Sequence, residues 1–133
     1  MKQISNFIEA HNQSKCPGSY RKGVVFNKSG AICRIFINFT TSKLDMHSKN
    51  FDTIFYAGRG KKDKDKYFVE DTINNAENLK MKQNTTPFPI YVKTRDGYFY
   101  LGRFEIRSVR KKMQYNPNLR CNFETLGFIC RKI

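Results

Sequence analysis

The fold is decided by the stretch Phe51-Asp52-Thr53-Ile54-Phe55-Tyr56-Ala57-Gly58-Arg59-Gly60. An apolar strand ends here at Tyr56, and a Gly-x-Gly loop and a lysine-rich run follow it directly. Glycine lets the backbone approach a ligand or a phosphate closely because it has no side chain. Lysines supply the charge that neutralises phosphates. Taken alone, the stretch also fits an ordinary strand-to-loop turn beside a solvated run of charge, so its surroundings have to distinguish the two.

Strand patterns lie on both sides of this stretch. Residues 24–26 are apolar and lead into a turn, and residues 32–39 have apolar side chains at alternate positions, namely Cys33, Ile35, Ile37 and Phe39. Alternation of this kind predicts a strand with one buried face. Residues 40–50 are polar and aperiodic, which predicts a loop. A further strand at residues 88–93 joins its partner at residues 98–109 through the tight turn Asp96-Gly97.

Helical spacing is found in two places. Residues 3–12 predict a short amphipathic helix, and Asp71-Thr72 can cap a second helix through residue 82, with Ile73, Ala76 and Leu79 facing inward. A basic linker at residues 110–118 then leads to a last apolar stretch at residues 123–130. We therefore expect a single α+β domain, residues 1–133, with a curled, barrel-like sheet and short flanking helices.

The charge of the chain indicates the class of its partner. The 133 residues include 25 Lys and Arg against 11 Asp and Glu, a net charge of +14. Such an excess destabilises a compact state by self-repulsion and commonly accompanies a polyanion such as nucleic acid. The alternatives are a basic surface with no ligand and an anionic membrane, although no long basic amphipathic helix is present. The sequence also lacks an apolar signal region, so we expect a protein of the cytoplasm (nucleoid-associated) or nucleus that is not secreted.

The cysteines argue against a metal site. Cys16, Cys33, Cys121 and Cys130 are far apart and form no Cys-x-x-Cys pair. Zinc sites have tightly spaced ligand pairs, so we expect no metal and no cofactor. In a protein that is not secreted, we expect these thiols to be reduced.

Several short motifs together resemble the SRA (SET- and RING-associated) domain family, which reads modified cytosine and also occurs in modification-dependent restriction endonucleases. The resemblance spans residues 19–109. The motifs are Gly23-Val24-Val25, Ile35-Phe36-Ile37, Tyr56-Ala57-Gly58-Arg59-Gly60, Asn74-Asn75-Ala76, Pro89-Ile90-Tyr91-Val92 and Gly97-Tyr98-Phe99-Tyr100-Leu101-Gly102-Arg103-Phe104. Two positions depart from the family pattern: Ala57 replaces a Thr, and Leu101 replaces the Asp of Tyr-Asp-Gly. The modified base could therefore differ from that of other members.

The resemblance implies an SRA/PUA-like barrel that flips a base out of duplex DNA into an aromatic pocket. It implies that Tyr56 is one stacking aromatic, beside Ala57 and Gly58, and Phe39 is the nearest candidate for the other. Asp45, the one carboxylate between residues 10 and 51, is the candidate for the acid that reads the edge of the base. Phe39 could instead be a core residue and Asp45 a turn residue. The candidates for phosphate contacts are Arg59, Lys61, Lys62, Lys64, Arg110, Lys111 and Lys112.

Two other functions remain open from the residues alone. A small Mg²⁺-dependent nuclease could use Asp63, Asp65 or Glu70, and a sequence-tolerant RNA-binding domain could stack bases on its aromatic strands. The carboxylates are scattered, however, and neither histidine has a neighbouring nucleophile. We therefore expect a binding domain rather than an enzyme, with any cleavage performed by a separate nuclease domain or subunit.

Overall fold

The computed structural model describes residues 1–42, 44–58, 60–62, 68–70, 76–116 and 120–133. The helices are α1 (Phe7–Ser14) and α2 (Ala76–Gln83). The strands are β1 (Lys2–Ile4), β2 (Val24–Phe26), β3 (Ile32–Asn38), β4 (Met46–His47), β5 (Thr53–Ala57), β6 (Gly60–Lys62), β7 (Phe68–Glu70), β8 (Phe88–Thr94), β9 (Gly97–Asn116) and β10 (Cys121–Lys132).

Eight of these strands form one sheet. Its order is β2-β3-β8-β9-β10-β5-β4, with β1 paired to β9, while β6 and β7 form a separate two-stranded sheet. The pair β3 and β8 is parallel, and the other pairs are antiparallel. Register shifts in β2, β8 and β10 mark bulges, which bend strands and increase their twist. The expected mostly-sheet α+β class is confirmed.

Strand β3 is buried on both faces, whereas its alternating pattern predicted one buried face. Ile35 and Ile37 belong to the main core, and Phe36 belongs to a second cluster with Ala10 of α1 and Tyr91 of β8. The second face is buried because α1 packs on it, and the ring of Phe7 stacks on that of Phe36 at 4.5 Å between centroids.

Helix α1 lies further along the chain than predicted. Residues 2–4 form a strand, and the helix begins after Asn6, whose side chain accepts a hydrogen bond from the N–H of Glu9 at 2.8 Å. The carboxylate of Glu9 in turn accepts from the N–H of Ser5 at 2.8 Å. The first bond satisfies a backbone donor that a helix start leaves free, and the second ties Ser5, just before the cap, to the first turn, so together they favour a start at this point. Lys15, with φ of 56°, ends it.

Two further expectations about secondary structure are wrong. Leu79 and Ala76 do not face inward: Leu79 is 43% exposed, Ala76 is exposed as well, and α2 buries Asn78 and Met81 instead. The predicted start of this helix, residues 71–75, lies outside the described residues. The supposed linker at residues 110–118 is strand as far as Asn116, because the second half of β9 pairs with β10 over its whole length.

The expectation of four reduced thiols is wrong for two of them. Cys16 and Cys33 form a disulfide with 6.0 Å between their Cα atoms, which ties the segment after α1 to β3. Cys130 is a free, fully buried thiol, and burial, with a smaller effect of Asp45, raises its pKa to about 12. In the described part of the chain, neither helix has the length and apolar character that crossing a membrane requires.

Candidate nucleic-acid interface

A cavity of about 260 Å³ opens where β5 ends. Among the described residues, three parts of the chain line its wall: the segment that enters β2, the end of β5, and α2. The lining residues are Arg21, Lys22, Gly23, Val24, Tyr56, Ala57, Glu77, Asn78 and Met81. Of the five residues predicted to bind a base, the cavity thus brings together Tyr56 and Ala57.

Tyr56 lies in the wall with one side on the main core and its hydroxyl at Gly23. It pairs with Phe128 of β10 and is half-buried. A Cβ atom added to Gly23 would lie 2.7 Å from the Tyr56 hydroxyl oxygen, closer than such atoms approach. A side chain at Gly23 would therefore displace the hydroxyl end of Tyr56 from its present place in the cavity wall.

The side chain of Asp45 is hydrogen-bonded to the backbone of Ala57, the neighbour of Tyr56 in the wall. Its Oδ1 accepts a hydrogen bond from the Ala57 N–H at 2.7 Å, and its Oδ2 accepts from the Ser42 hydroxyl at 2.7 Å. Burial raises the pKa of this carboxyl above its ordinary value, and the two hydrogen bonds oppose that effect. Asp45 contacts the backbone of the wall but is not among the described residues that line the cavity, which include one carboxylate, that of Glu77.

Gly58 packs closely against its neighbours. Its N–H donates to the carbonyl oxygen of Leu126, and an added Cβ would lie 2.8 Å from that oxygen and 2.9 Å from Oδ1 of Asn78. Asn78 is 1% exposed. Glycine at this position lets α2 approach the end of β5. The described contacts of Gly58 therefore pack the cavity wall together.

Phe39 belongs to a separate aromatic cluster. Its ring meets that of His47 edge to face at 4.7 Å between centroids and that of Phe51 at 6.2 Å, and His47 stacks on Phe51 at 4.0 Å. Phe39 also packs against the main core and is not among the residues that line the cavity. The described contacts therefore do not bring it opposite Tyr56.

Arg34 fixes the part of the wall that precedes β2. It is fully buried, and its guanidinium donates to the carbonyl oxygens of Lys22 at 2.7 Å, Ser19 at 3.1 Å and Gly23 at 3.3 Å. The group lies 3.5 Å above the centroid of the Phe36 ring. Burial lowers its pKa to about 10, so it remains a cation at neutral pH.

Comparison with solved structures shows which known proteins share this fold. The SRA domain of SUVH5 in complex with hemimethylated CG DNA matches with a TM-score of 0.67 and 17% identity, covering 99% of this chain and 86% of that chain. The modification-dependent TagI restriction endonuclease matches with a TM-score of 0.68 and 17% identity, covering 99% of this chain and 48% of that one. This chain has the SRA fold.

A third structure with this fold contains the sulfur-binding and SRA domains of ScoMcrA complexed with phosphorothioated DNA. It matches with a TM-score of 0.63 and 11% identity over 99% of this chain and 39% of that chain. The SRA fold thus occurs both as a domain of nearly this size and as part of larger restriction proteins. No protein-family model matches the sequence, and no curated protein matches it either.

The basic residues predicted from sequence fall into three groups in this SRA fold. Arg110 and Lys111 are exposed on β9. The backbone of Lys61, Lys62 and Lys112 lies in strands, but their side chains are not among those that the structure describes. Arg59 and Lys64 lie outside the described residues altogether. Sequence reasoning missed Arg21 and Lys22, which are exposed at the rim of the cavity. Their place in the tetrad Tyr20-Arg21-Lys22-Gly23, directly before a strand, was the available signal.

The residues proposed for a nuclease are not placed. Asp63 and Asp65 lie outside the described residues, and the side chain of Glu70 does too. Among the residues that the structure does describe, no three His, Cys, Asp or Glu side chains come together in a way that could hold a metal ion.

Proposed function

We propose that this chain binds duplex DNA containing a modified base, and that the cavity at the end of β5 receives this base. The observation that supports the proposal most is the position of Tyr56 and Ala57 in the wall of a cavity, within an SRA fold. Other proteins with the fold have been solved with hemimethylated, fully hydroxymethylated and phosphorothioated DNA. We infer that the base recognised by this chain is a modified cytosine.

The base must leave the duplex to enter such a cavity. Atoms of a stacked base cannot be surrounded by protein, so proteins that enclose a base rotate its nucleotide out of the helix. The half-buried ring of Tyr56 offers a surface on which the extruded base stacks. The backbone at Ala57 and the carboxylate of Glu77 offer hydrogen-bonding groups at the edge of the same cavity.

Two carboxylates are candidates for reading that edge. Asp45 already accepts a hydrogen bond from Ala57, so in this proposal it orients the wall. Glu77 lines the cavity and, as a carboxylate, can accept a hydrogen bond from the exocyclic amino group of cytosine. The variants Asp45→Asn and Glu77→Gln separate these roles, because only the residue that reads the base changes the preference among bases when it is replaced.

Phosphates on either side of the extruded base need positive charge. Arg21 and Lys22 are exposed at the rim of the cavity, and the chain has a net charge of +14. Each phosphate neutralised adds about 0.9 to the slope of log affinity against log salt concentration. Binding should therefore weaken steeply as salt rises. A protein with this task works where DNA is found, in the cytoplasm (with the nucleoid) or the nucleus.

Matched duplexes test the proposal. We expect tighter binding to one duplex of a set carrying cytosine, 5-methylcytosine, 5-hydroxymethylcytosine or N6-methyladenine at a single site, and no cleavage of any with Mg²⁺. Equal binding to all four would contradict recognition of a modified base. Cleavage by the isolated chain would point to the nuclease, and a preference for single-stranded RNA would point to an RNA-binding domain. If this chain acts within a larger assembly that cleaves DNA, we propose that a separate nuclease domain or subunit performs the cleavage.

A further inference from the structure

Strands β9 and β10 continue beyond the sheet as a two-stranded ribbon. The pairing of β10 with β5 spans Arg131↔Thr53 to Gly127↔Ala57, whereas its pairing with β9 continues to Cys121↔Asn116. We call residues 110–116 and 120–126 the β9–β10 ribbon; residues 117–119 lie outside the described residues. The ribbon leaves the sheet at Ala57, which is also part of the cavity wall.

One face of the ribbon continues the sheet face on which Tyr56 lies. Tyr56 pairs with Phe128, and Leu126 is two residues further along β10 on the same face. Leu126 pairs with Lys111, so Lys111, Met113 and Tyr115, at alternate positions of β9, share that face. The side chains on this face are therefore buried in the core near Leu126 and exposed to solvent near Tyr115.

Large apolar side chains are exposed on this face without a folding role. Met113 is 62% exposed and Tyr115 is 56% exposed, and Asn122, the cross-strand partner of Tyr115, is exposed as well. β7 comes close to β10 but forms no described strand pair with it. Neither Met113 nor Tyr115 belongs to a core cluster, so both side chains are available to contact a partner.

The charge and shape of the ribbon favour DNA as its partner. Residues 110–126 contain four basic side chains, Arg110, Lys111, Lys112 and Arg120, against one acidic side chain, Glu124. The major groove of DNA, about 12 Å wide, admits a two-stranded β-ribbon. Aromatic and apolar side chains on such an element contact base edges or enter between base steps, while its lysines and arginines contact phosphates.

The distance between the cavity and the exposed part of the ribbon allows both to contact the same duplex. Ala57, Gly127 and Arg110 are cross-strand neighbours, and adjacent strands are about 4.8 Å apart, so Arg110 lies roughly 10 Å from the cavity wall. Tyr115 lies five residues further along β9, which at about 3.4 Å per residue is roughly 17 Å. Measured along the strand direction, this displacement corresponds to about five base pairs of a parallel duplex whose rise is about 3.4 Å.

We propose that the β9–β10 ribbon is a second DNA-binding element, which lies in a groove of the same duplex about five base pairs from the base held in the cavity. Tyr115 and Met113 contact the bases there, and the exposed basic residues Arg110, Lys111 and Arg120 contact phosphates. The inference rests on the proposed function for the choice of DNA as partner. It adds that the ribbon binds modified and unmodified duplexes alike, because it contacts DNA away from the modified base.

The test uses the double variant Met113→Ser/Tyr115→Ser. Both side chains are exposed, so the variant should melt at the wild-type temperature. We expect it to bind a modified duplex and the matched unmodified duplex each about tenfold more weakly, with the ratio of the two affinities unchanged. The control is Met46→Ser, since Met46 is 41% exposed on the edge strand β4, which pairs with β5 and with neither strand of the ribbon. It should bind both duplexes like the wild type.

Duplex length gives a second measurement. Shortening the arm on one side of the modified base from about ten to about three base pairs should weaken binding of the wild type but not of the double variant. Wild-type affinity in the double variant on the long duplex would overturn the proposal. So would a dimer, seen by sedimentation, that the double variant abolishes, because the face would then join two copies.

The two proposals fail separately. A wild-type protein that binds all duplexes equally contradicts recognition of a modified base. A loss of affinity for the unmodified duplex in the double variant still supports the ribbon in that case.

Discussion

The side chain of Asp45 and the backbone N–H of Ala57 are joined by a hydrogen bond of 2.7 Å between N and Oδ1. The bond ties the polar segment before β4 to the wall of the cavity. A buried carboxylate here combines a cost of desolvation with a structural contact, because both of its oxygens are hydrogen-bonded, one to Ala57 and the other to Ser42. These opposing effects give the stability of the protein a defined dependence on pH.

The first prediction concerns Asp45→Asn. Burial raises the pKa of Asp45 above its ordinary 3.8, so the folded protein holds the proton more tightly than the unfolded chain does. This contribution to stability is fully present below 3.8 and is lost as the pH rises through the folded-state value. Asparagine can keep both hydrogen bonds, accepting from Ala57 and donating to Ser42, without a charge. Relative to wild type, Asp45→Asn should therefore gain stability as the pH rises to neutrality.

Urea denaturation of the two proteins from below pH 3.8 to neutral pH measures this difference. A free energy of unfolding that differs between them by the same amount at every pH would show that Asp45 does not titrate with a raised pKa.

The second prediction concerns Arg34→Lys. Three carbonyl oxygens, of Ser19, Lys22 and Gly23, accept hydrogen bonds from the guanidinium, and a buried polar group left without its partner costs about 1–3 kcal/mol. Lysine keeps the charge but cannot reproduce the planar fork of donors. We expect a loss of about 3 kcal/mol in the free energy of unfolding, measured by urea denaturation.

The same variant should also loosen the cavity wall, because Lys22 and Gly23 line it. A useful comparison is Arg103→Lys, where the arginine is exposed and its bond to the Pro87 carbonyl is long at 3.4 Å. That variant should be as stable as wild type. Equal stability of Arg34→Lys and Arg103→Lys would contradict the role given to Arg34.

The third prediction concerns the disulfide. Cys16 and Cys33 are 17 residues apart, and a cross-link closing a loop of this size stabilises a protein by about 3 kcal/mol. Reductant should lower the free energy of unfolding by that amount in the wild type and should leave a Cys16→Ser/Cys33→Ser variant unchanged. Labelling of all four thiols in denatured protein that has not been reduced would show that the bond is absent.

Sequence patterns located most of the sheet because alternation reports burial directly. They placed β2, β3, β8 and β10 near their observed positions, and they singled out Tyr56 and Ala57, which line the cavity. They failed for the second half of β9, where a run of charged residues resembles a linker. A ribbon exposed to solvent has no buried face, so it has no apolar alternation to detect.

The rest of the candidate site depends on contacts between distant residues. Arg34 occurs within the apolar run of β3, where only the folded chain reveals the carbonyl groups that it binds. Glu77 and Asn78 enter the cavity wall because α2 packs on β5 near Gly58, and helical periodicity instead favoured Leu79 as the inward residue. The pairing of Cys16 with Cys33 likewise follows from the fold, since cysteine spacing alone does not define it.

The last prediction concerns Tyr56, the aromatic residue of the cavity wall. Stacking of a base on an aromatic ring contributes on the order of 1–3 kcal/mol, so Tyr56→Ala should weaken binding to the modified duplex roughly ten- to a hundredfold. Tyr56→Phe keeps the ring and should keep the preference for the modified duplex. Lys111→Ala removes an exposed charge, and should weaken binding to modified and unmodified duplexes about equally.

The most direct measurement is the ratio of affinities for modified and unmodified duplexes in wild type and in Tyr56→Ala. It requires that the variant melts near the wild-type temperature, because Tyr56 also packs against the main core. We predict a ratio well above one in the wild type that falls toward one in Tyr56→Ala and is retained in Tyr56→Phe. An unchanged ratio in a folded Tyr56→Ala protein would contradict the claim that the base is held in this cavity.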